Sequence, residues 1–381
     1  MPTARYYLSS QADPIDSRHS LWHRPLPDRR AKASSIPEAP AAPRTTYGDY
    51  FLAVARFCAS DGWALVRQAA AYKTARPIEE AELQDIMIFL EKHGAFYHPA
   101  RLQIKIADQL ISLAVNVAVS SDGRRTLPYE VKALHRLSEQ RPFGWLPRVY
   151  GSQTAEIPMF LGDWFDGFHE FHLTRPADGE SAIVVWDGSD APTLLSKNQA
   201  ADLYRQAAMI LAACYDPLTT RQIFPWHHAA GDFVVRMDGN GVEVRLISAR
   251  GYRPLTEPAG EADSEQAVLE ALTIFLIHLS LRMRLDRIDG VGPVAWAADA
   301  CLAPMIEGFF QGLDLAARIS GFPEAFPDLF RRYIAVRDKT DWLAMARRLT
   351  DAVFDRRTEE RLIVDTHFDR HMQDLWRLMT N

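Results

Sequence analysis

Two stretches of strict alternation organise the middle of the chain. Leu102, Ile104 and Ile106 are separated by Gln103 and Lys105. After Asp108-Gln109, the apolar positions Ile111, Leu113, Val115, Val117 and Val119 alternate with Ser112, Ala114, Asn116 and Ala118. A period of two is that of a strand, and two such runs across a short polar break predict an antiparallel hairpin. Gly123 and the following arginine pair end it.

Ahead of the hairpin the period is helical. Phe51, Val54, Ala55 and Cys58 share one face, and Trp63, Val66, Ala70 and Lys73 continue in a second helix after Asp61-Gly62. Leu83, Ile86, Met87 and Leu90 recur at spacings of three and four, which predicts a third helix over 79–93 closed by Gly94. Behind the hairpin, Pro128 opens a helix carrying Glu130, Val131, Leu134 and Leu137, and strand-like segments follow at 148–150, 158–164, 169–173 and 182–186.

Beyond Trp186 helices dominate. Ser196 with Gln199 forms a capping box for a helix through Leu203, Ala207, Ile210 and Leu211. Asp238-Gly239-Asn240-Gly241 predicts a tight turn between the 226–236 segment and a strand of Val242, Val244 and Leu246, because these residues tolerate positive φ. At least four helices follow Asp263. The apolar run Ala271–Leu281 is too short to span a bilayer and holds His278, so it reads as a buried helix.

Residues 1–45 differ. Prolines at 14, 25, 27, 37, 40 and 43 predict an extended or disordered arm, whose Tyr6, Tyr7, Leu8, Leu21 and Trp22 could dock on the body or on a partner. The organisation expected is therefore an arm over 1–45, a helical extension over 46–94, a strand-rich lobe over 95–165 and a mainly helical lobe over 166–381.

Composition narrows the classes. At 381 residues the chain exceeds what one core comfortably serves, and 48% hydrophobic with 24% charged residues is ordinary for a globular protein. A formal charge of −6 offers no basic footprint for nucleic acid. Cys58, Cys214 and Cys301 form no paired motif, so they read as buried apolar side chains in a reducing compartment. With no signal-peptide core and no membrane span, the expected location is the cytoplasm.

The candidate chemistry lies in Trp226-His227-His228-Ala229-Ala230-Gly231-Asp232-Phe233. Placed just before a hairpin and after a helix, this segment resembles the Asp-bearing loop of the protein-kinase-like superfamily, in its aminoglycoside phosphotransferase and choline kinase branch. The resemblance covers roughly residues 95–350. It implies an α+β, two-lobed kinase-like fold, with Met159–Gly167 connecting the lobes. Asp232 would then match the base that takes the proton of the attacked hydroxyl, with His228 as a neighbouring helper.

Carried over residue by residue, Glu130 falls where the family has a helix glutamate paired to a strand lysine. Asn116 stands in the lysine's place, and Lys105 is the nearby substitute. The Asp108-Gln109 turn has no glycine to cover phosphates. Position 237, where the family keeps a metal-holding Asn, is Met, and Ser248 stands where a second metal ligand, an Asp, is expected. The histidine groups His227/His228 and His169/Glu170/His172 have no recognised metal spacing and read more simply as hydrogen-bonded or surface side chains; no metal site is assigned.

Three functions follow. The first is a degenerate kinase-like binding or regulatory module. The second is an active phosphotransferase on a small hydroxyl-bearing molecule, the only case that calls for ATP and magnesium. The third is a protein that captures a partner through its N-terminal arm. Neither nucleic acid nor membrane is expected as a partner.

Overall fold

A computed structural model describes residues 4–9, 11–27, 45–176, 181–188, 192–226, 231–239, 241–255 and 265–380. It is a mixed α+β protein with a multi-strand sheet and a helical C-terminal region. The chain divides into two units: residues up to His135 with Pro147–Asp166, and Arg136–Leu146 with Gly167 onward.

The first unit begins with strand β1 (Arg5–Leu8) and helix α1 (Tyr47–Thr74), then β2 (Gln84–Leu90), β3 (His98–Ile106) and β4 (Gln109–Val117). Helix α2 (Ser121–Gln140) starts in this unit, which ends with β5 (Val149–Gln153) and β6 (Met159–Asp163). The six strands form one sheet in the order β1-β2-β3-β4-β6-β5, with only β1 parallel to its neighbour. The hairpin read from alternation is β3–β4, paired from His98↔Val117 to Ile106↔Gln109. Its apolar face packs on α1, where Tyr50, Phe51, Val54 and Val66 meet Ile88, Leu102, Leu113 and Val115 in one core.

Three expectations are corrected here. The predicted helix over 79–93 is largely strand β2, with Ile86, Ile88 and Leu90 buried. Residues 86–90 are apolar at every position, so both periods fit, and the open edge of β3 decides in favour of the strand. Helix α2 starts seven residues before Pro128, capped by Ser120, whose Oγ accepts from the Gly123 N–H at 3.1 Å. Gly123 is needed there: a Cβ would lie 2.0 Å from the carbonyl oxygen of Phe96.

The third concerns the arm. Its described residues belong to the first unit: β1 extends the sheet, and Ile15, Trp22 and Leu26 are buried in the core. Trp22 stacks on Phe51 at 6.4 Å, and the Gly48 N–H donates to the Trp22 carbonyl at 2.9 Å. Enough apolar side chains sit among the prolines to bury themselves locally, so Trp22 is not available to a partner. The break expected at Asp61-Gly62 is present as a kink in α1, with positive φ at Asp61, Gly62 and Trp63.

The second unit opens with a three-stranded sheet of β7 (Phe171–Thr174), β8 (Ala182–Val185) and β9 (Thr193–Leu194), followed by α3 (Lys197–Ala213). The expected Ser196–Gln199 capping box is present. Strand β10 (Arg221–Ile223) precedes the hairpin of β11 (Phe233–Asp238) and β12 (Gly241–Leu246), and pairs with β13 (Tyr252–Pro254). Helix α4 (Glu265–Arg282), strands β14 (Leu285–Arg287) and β15 (Val294–Trp296), and helices α5 (Leu302–Ile319), α6 (Phe326–Ala335), α7 (Lys339–Val353) and α8 (Glu359–Thr380) complete it.

Helix α4 is the buried helix expected from Ala271–Leu281, with Leu272, Leu276, Leu279 and Leu281 fully covered. Helices α3 and α5 approach closely at Gly308, where a Cβ would lie 1.9 Å from the Arg205 carbonyl oxygen. All three cysteines are free and buried. Among the described residues no helix is long and apolar enough to cross a membrane. Arg361 is buried and bonds Asp351 at 2.7 Å and Asp365 at 2.8 Å.

Candidate functional site

The site in the second unit is built on the base of the β11–β12 hairpin. Gly231 has φ +77°, a left-handed conformation that suits glycine, and it turns the chain into Asp232 and directly into β11. At the other end of the hairpin the Ile247 N–H donates to the Asp232 carbonyl at 2.7 Å. The chain then runs through Ser248 and Ala249 to Arg250. The Phe224 N–H donates to the Gly251 carbonyl at 3.1 Å, fastening this return segment to the residues that lead into the loop.

Asp232 is fully buried and faces Arg250. Its Oδ2 accepts from Nη1 of Arg250 at 2.6 Å and its Oδ1 from Nη2 at 2.5 Å. This is the two-pronged guanidinium–carboxylate geometry, in which each oxygen takes a charge-assisted bond. Both oxygens accept from the guanidinium. The base expected from the sequence is, in this geometry, half of a buried ion pair. The decisive partner, Arg250, lies eighteen residues away, and sequence spacing offered no signal for it.

The described predicted residues of this unit lie on the hairpin and its return segment. Met237 sits on β11 opposite Val242, five residues along an extended strand, or roughly 16 Å from Asp232 at strand spacing. Ser248 is half-buried at the hairpin base, near Arg250 in sequence. His228 lies outside the described residues.

In the first unit, Glu130 is buried on α2 and accepts a 2.6 Å bond from the Tyr97 hydroxyl, which the turn between β2 and β3 supplies. Asn116 is half-buried on β4, opposite Pro99 and Phe160. Lys105 is exposed at the far end of the hairpin, opposite Leu110. Leu110 is six residues from Asn116, so Lys105 stands roughly 20 Å away and does not substitute there. Arg101, on the same face as Lys105 and nearer to Asn116 along the strand, is bound to Glu91 at 2.6 Å and lies 4.4 Å over the Phe89 ring.

The histidine group at 169–172 is dispersed. His169 exchanges backbone hydrogen bonds with Val235, at 2.8 and 2.9 Å. The Nδ1 of His172 is 3.5 Å from Oδ1 of Asp286, whose Oδ2 accepts from the Leu173 N–H at 2.5 Å. Among the described residues, no three His, Cys, Asp or Glu side chains come together in a way that could hold a metal ion. Trp226 is buried and set edge-on to Phe233 at 6.3 Å, a core contact, whereas Trp186 is half exposed.

Neither a comparison with protein-family models nor one with curated proteins returns a match for this chain.

Proposed function

We propose that this protein is a degenerate relative of the protein-kinase-like group, with the first unit as the small lobe and the second as the helical lobe. In this reading it acts as a binding or regulatory module and not as a phosphotransferase. The observation that carries the proposal is the Asp232–Arg250 pair at the base of the β11–β12 hairpin.

Several features support the kinship. An antiparallel strand run is interrupted by one helix with a buried glutamate, and a second, mainly helical unit places an Asp beside a hairpin. Asp232 backs directly onto β11 with no loop between them. It therefore sits across the hairpin base from Ile247 and Ser248, a place suited to a metal-holding residue more than to a base offered from a loop.

The same geometry argues against a metal–nucleotide site. Magnesium requires oxygen ligands in a near-octahedral set, with carboxylates supplying the charge. Here a guanidinium already neutralises the one carboxylate, and the second position carries the Ser248 hydroxyl. An internal arginine stands in for the cation. In the first unit the helix glutamate is held by a tyrosine. Strand β2, ahead of the hairpin seen in the sequence, makes 91–97 a second candidate for a phosphate-covering turn. It contains Gly94 but is tied to α2, since Oγ of Ser120 donates to the Ala95 and Phe96 carbonyls at 3.0 and 3.2 Å.

Thermal unfolding of the full chain against ATP, GTP and ADP, each with and without magnesium, tests this reading. A ligand bound only by the folded state adds about 2.7 kcal/mol of apparent stability at a hundredfold excess over its Kd. The expected result is no magnesium-dependent rise in the midpoint. A magnesium-dependent rise accompanied by turnover of the nucleotide would sink the proposal and restore the phosphotransferase.

A further inference from the structure

The turn joining β2 to β3 is held by two histidines whose facing nitrogens both lie where a proton must be shared. Nδ1 of His93 is 2.8 Å from Nδ1 of His98, with the rings 4.9 Å apart and tilted by 67°. His98 is buried, and its carbonyl accepts from the Tyr50 hydroxyl at 2.8 Å. Nε2 of His93 is 3.2 Å from the Tyr47 hydroxyl. Both tyrosines come from the first turn of α1, so the pair ties that helix to the two ends of the turn.

Such a contact closes only with one proton between the two nitrogens: one ring donates and the other accepts. When both rings are imidazolium, each Nδ1 carries an N–H, and two N–H groups cannot face each other at this distance. Several charged and titratable groups near the turn have partners of their own. Glu91 bonds Arg101 at 2.6 Å, Glu130 accepts from Tyr97, and Asp49 is held by Thr46 in the cap of α1. Lys92, next to His93 in the chain, adds positive charge.

We propose that the His93–His98 pair is a proton-operated latch on the 91–98 turn, closed at neutral pH and released by mild acid. The sign follows from proton counting. In an opened turn each imidazole takes a proton below its ordinary pKa of about 6.5, whereas the closed contact binds at least one proton fewer. The closed form is therefore at full strength above that pH. It weakens as pH falls below it, up to about tenfold per pH unit for each proton excluded. Release loosens what the turn carries: the Tyr97 bond to Glu130 and the Ser120 bonds to Ala95 and Phe96 at the start of α2. The inference rests on the first unit alone and does not depend on the kinase-like reading.

Amide hydrogen exchange of the full chain between pH 5 and pH 8, corrected for intrinsic rates, reads the latch directly. The reporters are the N–H groups of Glu91 and Gly94, which donate to Pro99 and Tyr97 within the turn. Their protection should fall at least tenfold from pH 7 to pH 5 in the native protein and less than threefold in His93→Gln. Equal pH dependence in both proteins, or none in the native one, overturns the proposal. Should His93→Gln fail to fold, His98→Gln serves in its place. Long-range proton–nitrogen spectra of the native imidazoles at pH 7.5 add a test free of mutation. One protonated and one bare Nδ1 is expected; two bare Nδ1 atoms would overturn the latch.

Discussion

Arg250 holds the carboxylate of Asp232 with both of its terminal nitrogens, at 2.6 and 2.5 Å, and only 1% of the Asp232 side chain remains exposed. Removing one partner of a buried pair strands the other charge and costs about 3–5 kcal/mol. Asp232→Ala and Arg250→Ala should each lose that much in chemical denaturation. The double variant should lose clearly less than the sum of the two. Additive losses would mean that the pair is not a coupled unit.

Two buried histidines give the second unit its own acid sensitivity. Burial, with Arg282 nearby, pushes His278 down to about 3, and burial with Arg284 does the same to His371. A histidine that stays neutral when folded but takes a proton near pH 6.5 when unfolded stabilises fully above that pH. Its contribution is lost as pH falls from about 6.5 toward 3, by up to about 1.4 kcal/mol per pH unit for each group. Among the described residues, neither ring nitrogen of His278 has a hydrogen-bond partner. His278→Leu should therefore flatten the decline between pH 7 and pH 5, seen in urea midpoints at the two values, while leaving pH 7 stability nearly unchanged. An unaltered slope would show that His278 is not a source of it.

The N-terminal segment is predicted to stabilise the first unit. Trp22 packs on Phe51 and against Gly48, where an added Cβ would lie 2.4 Å from the indole Nε1. Truncating a buried aromatic costs about 3–5 kcal/mol, and overpacking about 1–3 kcal/mol. Trp22→Ala and Gly48→Ala should both lower the unfolding midpoint and expose α1 to limited proteolysis, with the larger effect at Trp22. Full resistance in both variants would mean that the segment contributes nothing to the core.

Tyr97→Phe deletes the hydroxyl that donates to the buried Glu130 at 2.6 Å. A hydrogen bond to a charged group is worth about 1.5–3 kcal/mol, so a loss in that range is expected, with faster amide exchange in the 91–98 turn. Unchanged stability and exchange would place Glu130 under the control of its other contacts.

The β3–β4 hairpin, the Ser196 cap, the β11–β12 turn and the buried α4 were legible because each is written in local periodicity or turn chemistry. Strand β2 was not, since a run such as Ile86-Met87-Ile88-Phe89-Leu90 satisfies a helical face and a buried strand equally. The start of α2 was hidden for a related reason. Pro128 looks like a first-turn residue, whereas the actual cap, Ser120, is identified by its bond to Gly123 and by the close approach of Phe96.

What the sequence by itself determined is the mixed α+β class and the order of most elements. Those properties follow from side-chain period and from residues with strong local preferences. Tertiary structure alone decided that Trp22 belongs to a core and that Arg250 closes on Asp232. It also decided that Tyr97 reaches Glu130 and that His93 meets His98. Each of these joins residues from separate elements or from opposite sides of a turn. The pairing of a charge or a shared proton depends on ångström-scale distances that no spacing along the chain encodes.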